Sequence, residues 1–242
     1  ILAAMMLASC SSDDFIAEAP PVNNAEELSP IMFSSLSKGM TRADFTGKDA
    51  ADKLGNKFVV SGYKGAETAN VGSIVFDNYL VKYYENTANT TESNSDNWEY
   101  VGETPIAHAT ANGITSQTIK YWDYSKAQYD FFAWSTGDKT AIFSGTPTTG
   151  QVLVSAITPS TATGATGTAY TFKGKAVDLT NCYISDLVTV NKTGTSGYGE
   201  VTGYNQPVTL KFRALGAKVR IGIYETIPGY SVKDVKFYTA AN

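Results

Sequence analysis

The sequence predicts an all-β fold, built as an antiparallel β-sandwich, on three observations. Apolar residues recur with a period of two and hardly anywhere with the helical period. Val208, Leu210 and Phe212 alternate with polar or charged neighbours, as do Val219, Ile221 and Ile223, and then Val235 and Phe237. Such alternation buries one face of a strand and wets the other. Short strand-like runs are also separated by turn-rich segments, the spacing expected of a sandwich. Finally, charged residues are only 17% of the chain while aromatics reach 12%, with 15 Tyr. Thr, Ser, Gly and Asn fill the gap, the profile of an extracellular β protein with a polar rather than charged surface.

Taken in order, Ser11–Pro30 is acidic and Asn-rich and carries Pro20-Pro21. It reads as a solvated tether with at most a helical turn in Ala25–Leu28. Ile31–Leu36 is a short strand, and Lys38–Arg42 a mobile loop. Asp44–Leu54, stopped by Gly55, is the one plausible helix. Strands follow at Lys57–Tyr63, at Ile74–Phe76 and at Tyr79–Tyr84, the last two flanking a turn at Asp77-Asn78. Trp98–Val101 and Tyr129–Trp134 are aromatic strands. Ser144–Thr171 is Thr-, Gly- and Ser-rich around Val152-Leu153-Val154 and reads as long loops or a hairpin. Leu187–Val190 is a strand, and Lys192–Gly203 a candidate interdomain linker. Helix is expected in under about a fifth of residues.

The net charge of −4 and the lack of an Arg/Lys run argue against a nucleic-acid partner. No apolar run approaches the roughly 20 residues that span a bilayer, so any membrane attachment comes from lipid. The chain has 2 Cys, Cys10 and Cys182, which gives no disulfide framework. Cys182, in Asn181–Ile184, reads as a small buried hydrophobe.

Catalytic signals are weak. The single His, His108, has no second His beside it and no nucleophile elbow, and reads as a surface loop residue. No metal-ligand spacing or phosphate-binding loop is present. The carboxylate pairs Asp13-Asp14 and Glu26-Glu27 sit in the tether. We therefore expect no enzyme, no metal and no cofactor. The rings of Trp98, Tyr121, Trp122 and Tyr124, with Tyr100 and Trp134, suit either a sugar-stacking platform or a core. Alternation turns several of them inward, which favours the core.

The N-terminus carries its own signal. Leu7-Ala8-Ser9-Cys10 follows a short apolar run and looks like the lipobox of a bacterial lipoprotein, with cleavage before Cys10 and lipid added to it. Asp13-Asp14 resembles a tag for the outer face of the outer membrane. The plainer alternative is an ordinary apolar segment with a chance Cys. The chain starts at Ile1 with no Met and no charged n-region, and stops within the strand-like Val235–Thr239. Both features point to a fragment of a longer gene product. Arg42 is the first Arg, and the next is Arg213. Composition alone makes it an ordinary surface residue, although a Gly-flanked polar loop is also where a protease cuts.

Several strings together resemble the fimbrillin family, the type V pilus subunits of Gram-negative gut and oral anaerobes. Ile119–Tyr124 leading to Tyr129–Trp134, preceded by Trp98-Glu99-Tyr100, is similar to the family's aromatic core. Phe212–Val219 looks like its later strand pair, with Arg213 where a His is usual. Lys218–Tyr238 resembles a lipoprotein subgroup of the family. The resemblance implies two transthyretin-like β-sandwiches, the first here nearly whole and the second truncated. Residues 1–10 would be the signal end and lipobox, 11–42 the tether and removable first strand, 43–191 the first sandwich and 204–242 the start of the second.

The resemblance also implies a mechanism. The subunit reaches the cell surface as an outer-membrane lipoprotein through Cys10. An Arg-specific, trypsin-like protease cuts at Arg42. The released strand would include Ile31, Met32, Phe33 and Leu36, although Leu36 breaks the parity of Ile31 and Phe33. A strand from another pilus subunit then fills the groove, and the fimbrium grows. Partners would be other subunits, the protease, the outer membrane and host or bacterial surface ligands. The competing reading is a surface glycan-binding lipoprotein of a polysaccharide-uptake system. A hydrolase has the weakest support.

Overall fold

The structure, a computed structural model, describes residues 29–38, 44–65, 74–85, 91–159, 168–192, 203–216 and 229. The chain order is β1 (Phe33–Lys38), β2 (Asp44–Thr46), α1 (Gly47–Lys53), β3 (Lys57–Lys64), β4 (Ile74–Tyr83) and β5 (Trp98–Glu99). Then come α2 (Ala107–Ala111), β6 (Gln128–Ser135), β7 (Thr140–Ile142), β8 (Gln151–Pro159) and β9 (Thr168–Lys173). The last are α3 (Ala176–Leu179), β10 (Tyr183–Ser185), β11 (Val188–Asn191) and β12 (Val208–Ala214). The fold is all-β with few helices, and its sheets carry a barrel-like curl.

The main sheet has nine strands in the order β2-β1-β12-β10-β6-β3-β4-β5, with β11 also paired to β6. A second sheet has the order β7-β8-β9. The curl brings the two ends of the main sheet together. Phe33 on β1 touches Phe76 on β4 at 5.1 Å between ring centroids, and Phe58 on β3 touches Phe212 on β12 at 5.3 Å. Inside the curl lies an aromatic core that includes Ile31, Phe33, Phe58, Phe76, Trp98, Tyr100 and Phe131. A smaller core of Val59, Trp134, Val152, Val154 and Cys182 joins the outer face of the main sheet to the second sheet.

Local sequence explains the elements. β12 has Val208, Leu210 and Phe212 buried between more exposed residues, as its alternation predicts. β6 and β3 are covered on both faces and read as nearly continuous buried runs. Gly62 on β3 is needed for packing, because a Cβ there would lie 2.7 Å from the Phe131 ring. α1 ends in a Schellman motif: the Asn56 N–H bonds to Ala51 O at 2.8 Å, and the Gly55 N–H to Asp52 O at 3.2 Å. Gly55 holds the left-handed turn at φ 65°.

Four expectations need correction. The helix expected over Asp44–Leu54 begins only at Gly47, because Asp44–Thr46 pairs with β1 as β2. The turn expected at Asp77-Asn78 is absent. β4 runs straight through, and Asn78 takes φ 53° at an irregularity opposite Ser61, a conformation Asn tolerates. The sheets are not wholly antiparallel, since β1–β12 and β7–β8 are parallel pairs. β1 and β12 are far apart in the chain, so no tight turn sets their relative direction. Finally, β12 sits inside the main sheet between β1 and β10, so residues 204–214 belong to this body rather than opening a second one. Val219, Ile221, Ile223, Val235 and Phe237 lie outside the described residues.

Candidate functional site

Lys120, Tyr100 and β12 converge on the N-terminal strand and form a slot around it. Its backbone enters beside the Lys120 segment. The Ile31 N–H bonds to Lys120 O at 2.8 Å, and the Trp122 N–H to Ser29 O at 3.0 Å. The strand then passes to β12, where the Val208 N–H bonds to Met32 O at 2.8 Å. From there β1 runs parallel to β12, with Phe33 opposite Val208 and Ser35 opposite Leu210. On its other side β1 pairs with β2 from Leu36 to Lys38.

Side chains fix the register. Ile31 and Phe33 are wholly buried. Phe33 meets four rings edge-on: Phe76 at 5.1 Å, Phe131 at 5.6 Å, Tyr100 at 5.9 Å and Phe58 at 6.5 Å. The Tyr100 hydroxyl donates to Ile31 O at 3.0 Å and accepts from the Lys120 N–H at 3.1 Å. Burial pushes this phenol well above its ordinary pKa, so it stays a donor. On the opposite parity the Ser34 and Thr209 hydroxyls bond at 2.9 Å.

Of the expected strand residues, Ile31 and Phe33 point into the core, while Met32 is half-buried and bonds through its backbone. Leu36 pairs in register with Lys211, off the parity of Ile31 and Phe33. Cys10 and Arg42 lie outside the described residues. In the sequence Arg42 falls in the five residues that join Lys38 to Asp44.

The glycan-stacking residues do not form one platform. Trp98 is 1% exposed, packed on Phe58 and Tyr83, and Trp122 is 3% exposed, stacked on Tyr204 at 4.5 Å. Neither offers a ring face to a sugar. Tyr121 and Tyr124 are half-buried, and their hydroxyls bond to Glu92 and Asn205.

His108 sits on α2 and stacks on Phe143 at 6.1 Å. Among the described residues no group of three His, Cys, Asp or Glu side chains could hold a metal. Cys182 is buried, and burial with Asp178 nearby pushes its thiol up to about 11.

Sequence reasoning misses three slot residues. Tyr100 reads as core in the sequence, but nothing marks it as the clamp on the Ile31 carbonyl. Ser34 and Thr209 carry no signal, because their pairing depends on a parallel register that no local pattern encodes.

The geometry defines an all-β domain whose N-terminal strand plugs its own aromatic core. No protein family matches this chain, and comparison with curated proteins and with solved structures finds no match.

Proposed function

We propose that this chain is a structural subunit of a cell-surface pilus, assembled when its first strand is removed and replaced by a strand from another subunit. The observation that carries the reading is the position of β1. It supplies Phe33 to the centre of the core, yet it stands at the end of the sheet path with only β2 beyond it. Its loss would leave β12-β10-β6-β3-β4-β5 a continuous sheet with a bare edge at β12. Vacating the Ile31 and Phe33 sites exposes apolar surface worth roughly 1.5–3 kcal/mol per side chain. A bare edge beside an apolar trough is what β-strand addition requires. The body would be the first of two transthyretin-like sandwiches, exported as a lipoprotein through Cys10 and cut at Arg42 by an Arg-specific protease.

The test is limited digestion of the whole chain with an Arg-specific protease. Mass spectrometry should find a cut after Arg42 and a stable remainder that forms polymers. Arg42→Ala should block both. A cut product that stays monomeric and as stable as the precursor would sink the proposal. The glycan-binding reading keeps only Tyr121 and Tyr124 of its proposed platform, and no further observation favours it.

A further inference from the structure

β1 fills its slot poorly at one register position. Ile31 and Phe33 bury apolar side chains, and the next residue of the same parity is Ser35, opposite the wholly buried Leu210. The Ser35 hydroxyl is buried and has no hydrogen-bond partner. A buried hydroxyl left unbonded destabilises its own strand. Ser35, with Ser34 and Thr209, also lines a cleft of about 440 Å³ whose other lining includes Thr46, Tyr83 and Trp98. The cleft lies where the two ends of the curled sheet fall short of closing. An unmet polar group and unfilled space thus coincide at one position.

We infer that the resident strand is a weak occupant at Ser35, and that the strand which replaces it, from a second subunit, carries a larger apolar residue there, of the size of Val or Leu. This deepens the strand-exchange reading above and rests on it. The incoming strand repeats the apolar parity of Ile31 and Phe33. At the third site it exchanges an unbonded hydroxyl for methyl groups packed toward Trp98 and Tyr83. The difference supplies a direction to exchange: the slot releases Ser and retains Val. Ser34, on the other parity, is satisfied by Thr209 and gives no such preference.

The experiment has two arms. In the intact chain, Ser35→Val should raise Tm by about 2–4 °C or more, while Ser34→Val, which loses the Thr209 bond, should not raise it. In the Arg-cut chain, a labelled peptide with the sequence of residues 29–38 should bind. The same peptide carrying Ser35→Val should bind about tenfold tighter, the removal of one unsatisfied buried hydroxyl. If Ser35→Val leaves Tm unchanged or lower, the inference is overturned whatever cleavage does. If both peptides bind equally, the inference falls and strand exchange stands. If the cut chain binds neither while Ser35→Val still raises Tm, strand exchange fails and the inference fails with it.

Discussion

Truncating Phe33 to Ala tests whether the first strand holds the body together. The ring is 1% exposed and meets Phe58, Phe76, Tyr100 and Phe131 edge-on. Four aromatic neighbours from β3, β4, β6 and the segment after β5 cannot all collapse into the space it leaves. A buried Phe→Ala change costs about 3–5 kcal/mol, with the upper half expected where the site is rigid. At about 2–4 °C per kcal/mol for a domain of this size, Tm should fall by about 6–20 °C. Met32→Ala, at a half-buried neighbour whose main contribution is a backbone bond, should cost under about 1.5 kcal/mol. Phe33→Leu should lie between the two. Urea unfolding of the whole chain, followed by tryptophan fluorescence, measures all three. A loss under about 1 kcal/mol for Phe33→Ala, with an unchanged denaturant slope, would show that the core does not rest on β1. The strand-exchange reading would lose its main support.

The Cys182 thiol is pushed up to about 11 by burial and by Asp178. Its stabilising contribution is present below the ordinary value of 9.0 and is lost as pH rises towards about 11. In native protein at about pH 8, below the ordinary thiol range, Cys182 should resist iodoacetamide until urea unfolds the chain, and rapid native labelling of the Cys182 peptide, read by mass spectrometry apart from Cys10, would refute this. Burial raises the Asp130 carboxyl, against hydrogen bonds from Thr189 and Gln128. For a raised carboxyl, stability is greatest below the ordinary value and falls as pH rises through the folded one. Asp130→Asn should therefore raise Tm at about pH 7 and change it little at about pH 3, and a lower Tm at neutral pH would count against the argument.

Strand identity is legible where one face is wet. Val208, Leu210 and Phe212 announce β12 because alternation records burial directly. Cys182 is legible for a similar reason, as a small residue in an apolar run. Long-range partnership is not legible. Nothing near Phe33 says that Val208 is its neighbour, since the pairing closes across most of the chain and is decided by the competition of strands for one core. The same blindness misplaces the boundary at 204. A polar stretch such as Lys192–Gly203 looks the same between two domains as between two strands of one sheet. The aromatic residues fail differently. Trp98 and Trp122 carry the ring chemistry of a sugar platform, but a ring's face is available only if no other ring takes it. Phe58 and Tyr204 already do.

The position of β1 in the sheet separates it from the other core strands. Taking out β6 would divide the main sheet, because β3, β10 and β11 all pair with it. Taking out β12 would strand β1 and β2. Taking out β1 breaks only its own pairings, to β12 and to β2, and β2 stays tied to α1 through the chain. Yet β1 carries one of the most enclosed side chains among the described residues. Topologically the strand is next to the end of the sheet, and energetically it is central. A terminal strand with a peripheral side chain could leave without consequence, and a central strand with Phe33 could not leave without unfolding the rest. Strand exchange, as proposed above, requires that combination: a body that keeps its sheet when the strand is lost and exposes an apolar site that another strand can fill. The unbonded hydroxyl of Ser35 adds the remaining condition, because it keeps the resident strand from being the best possible fit.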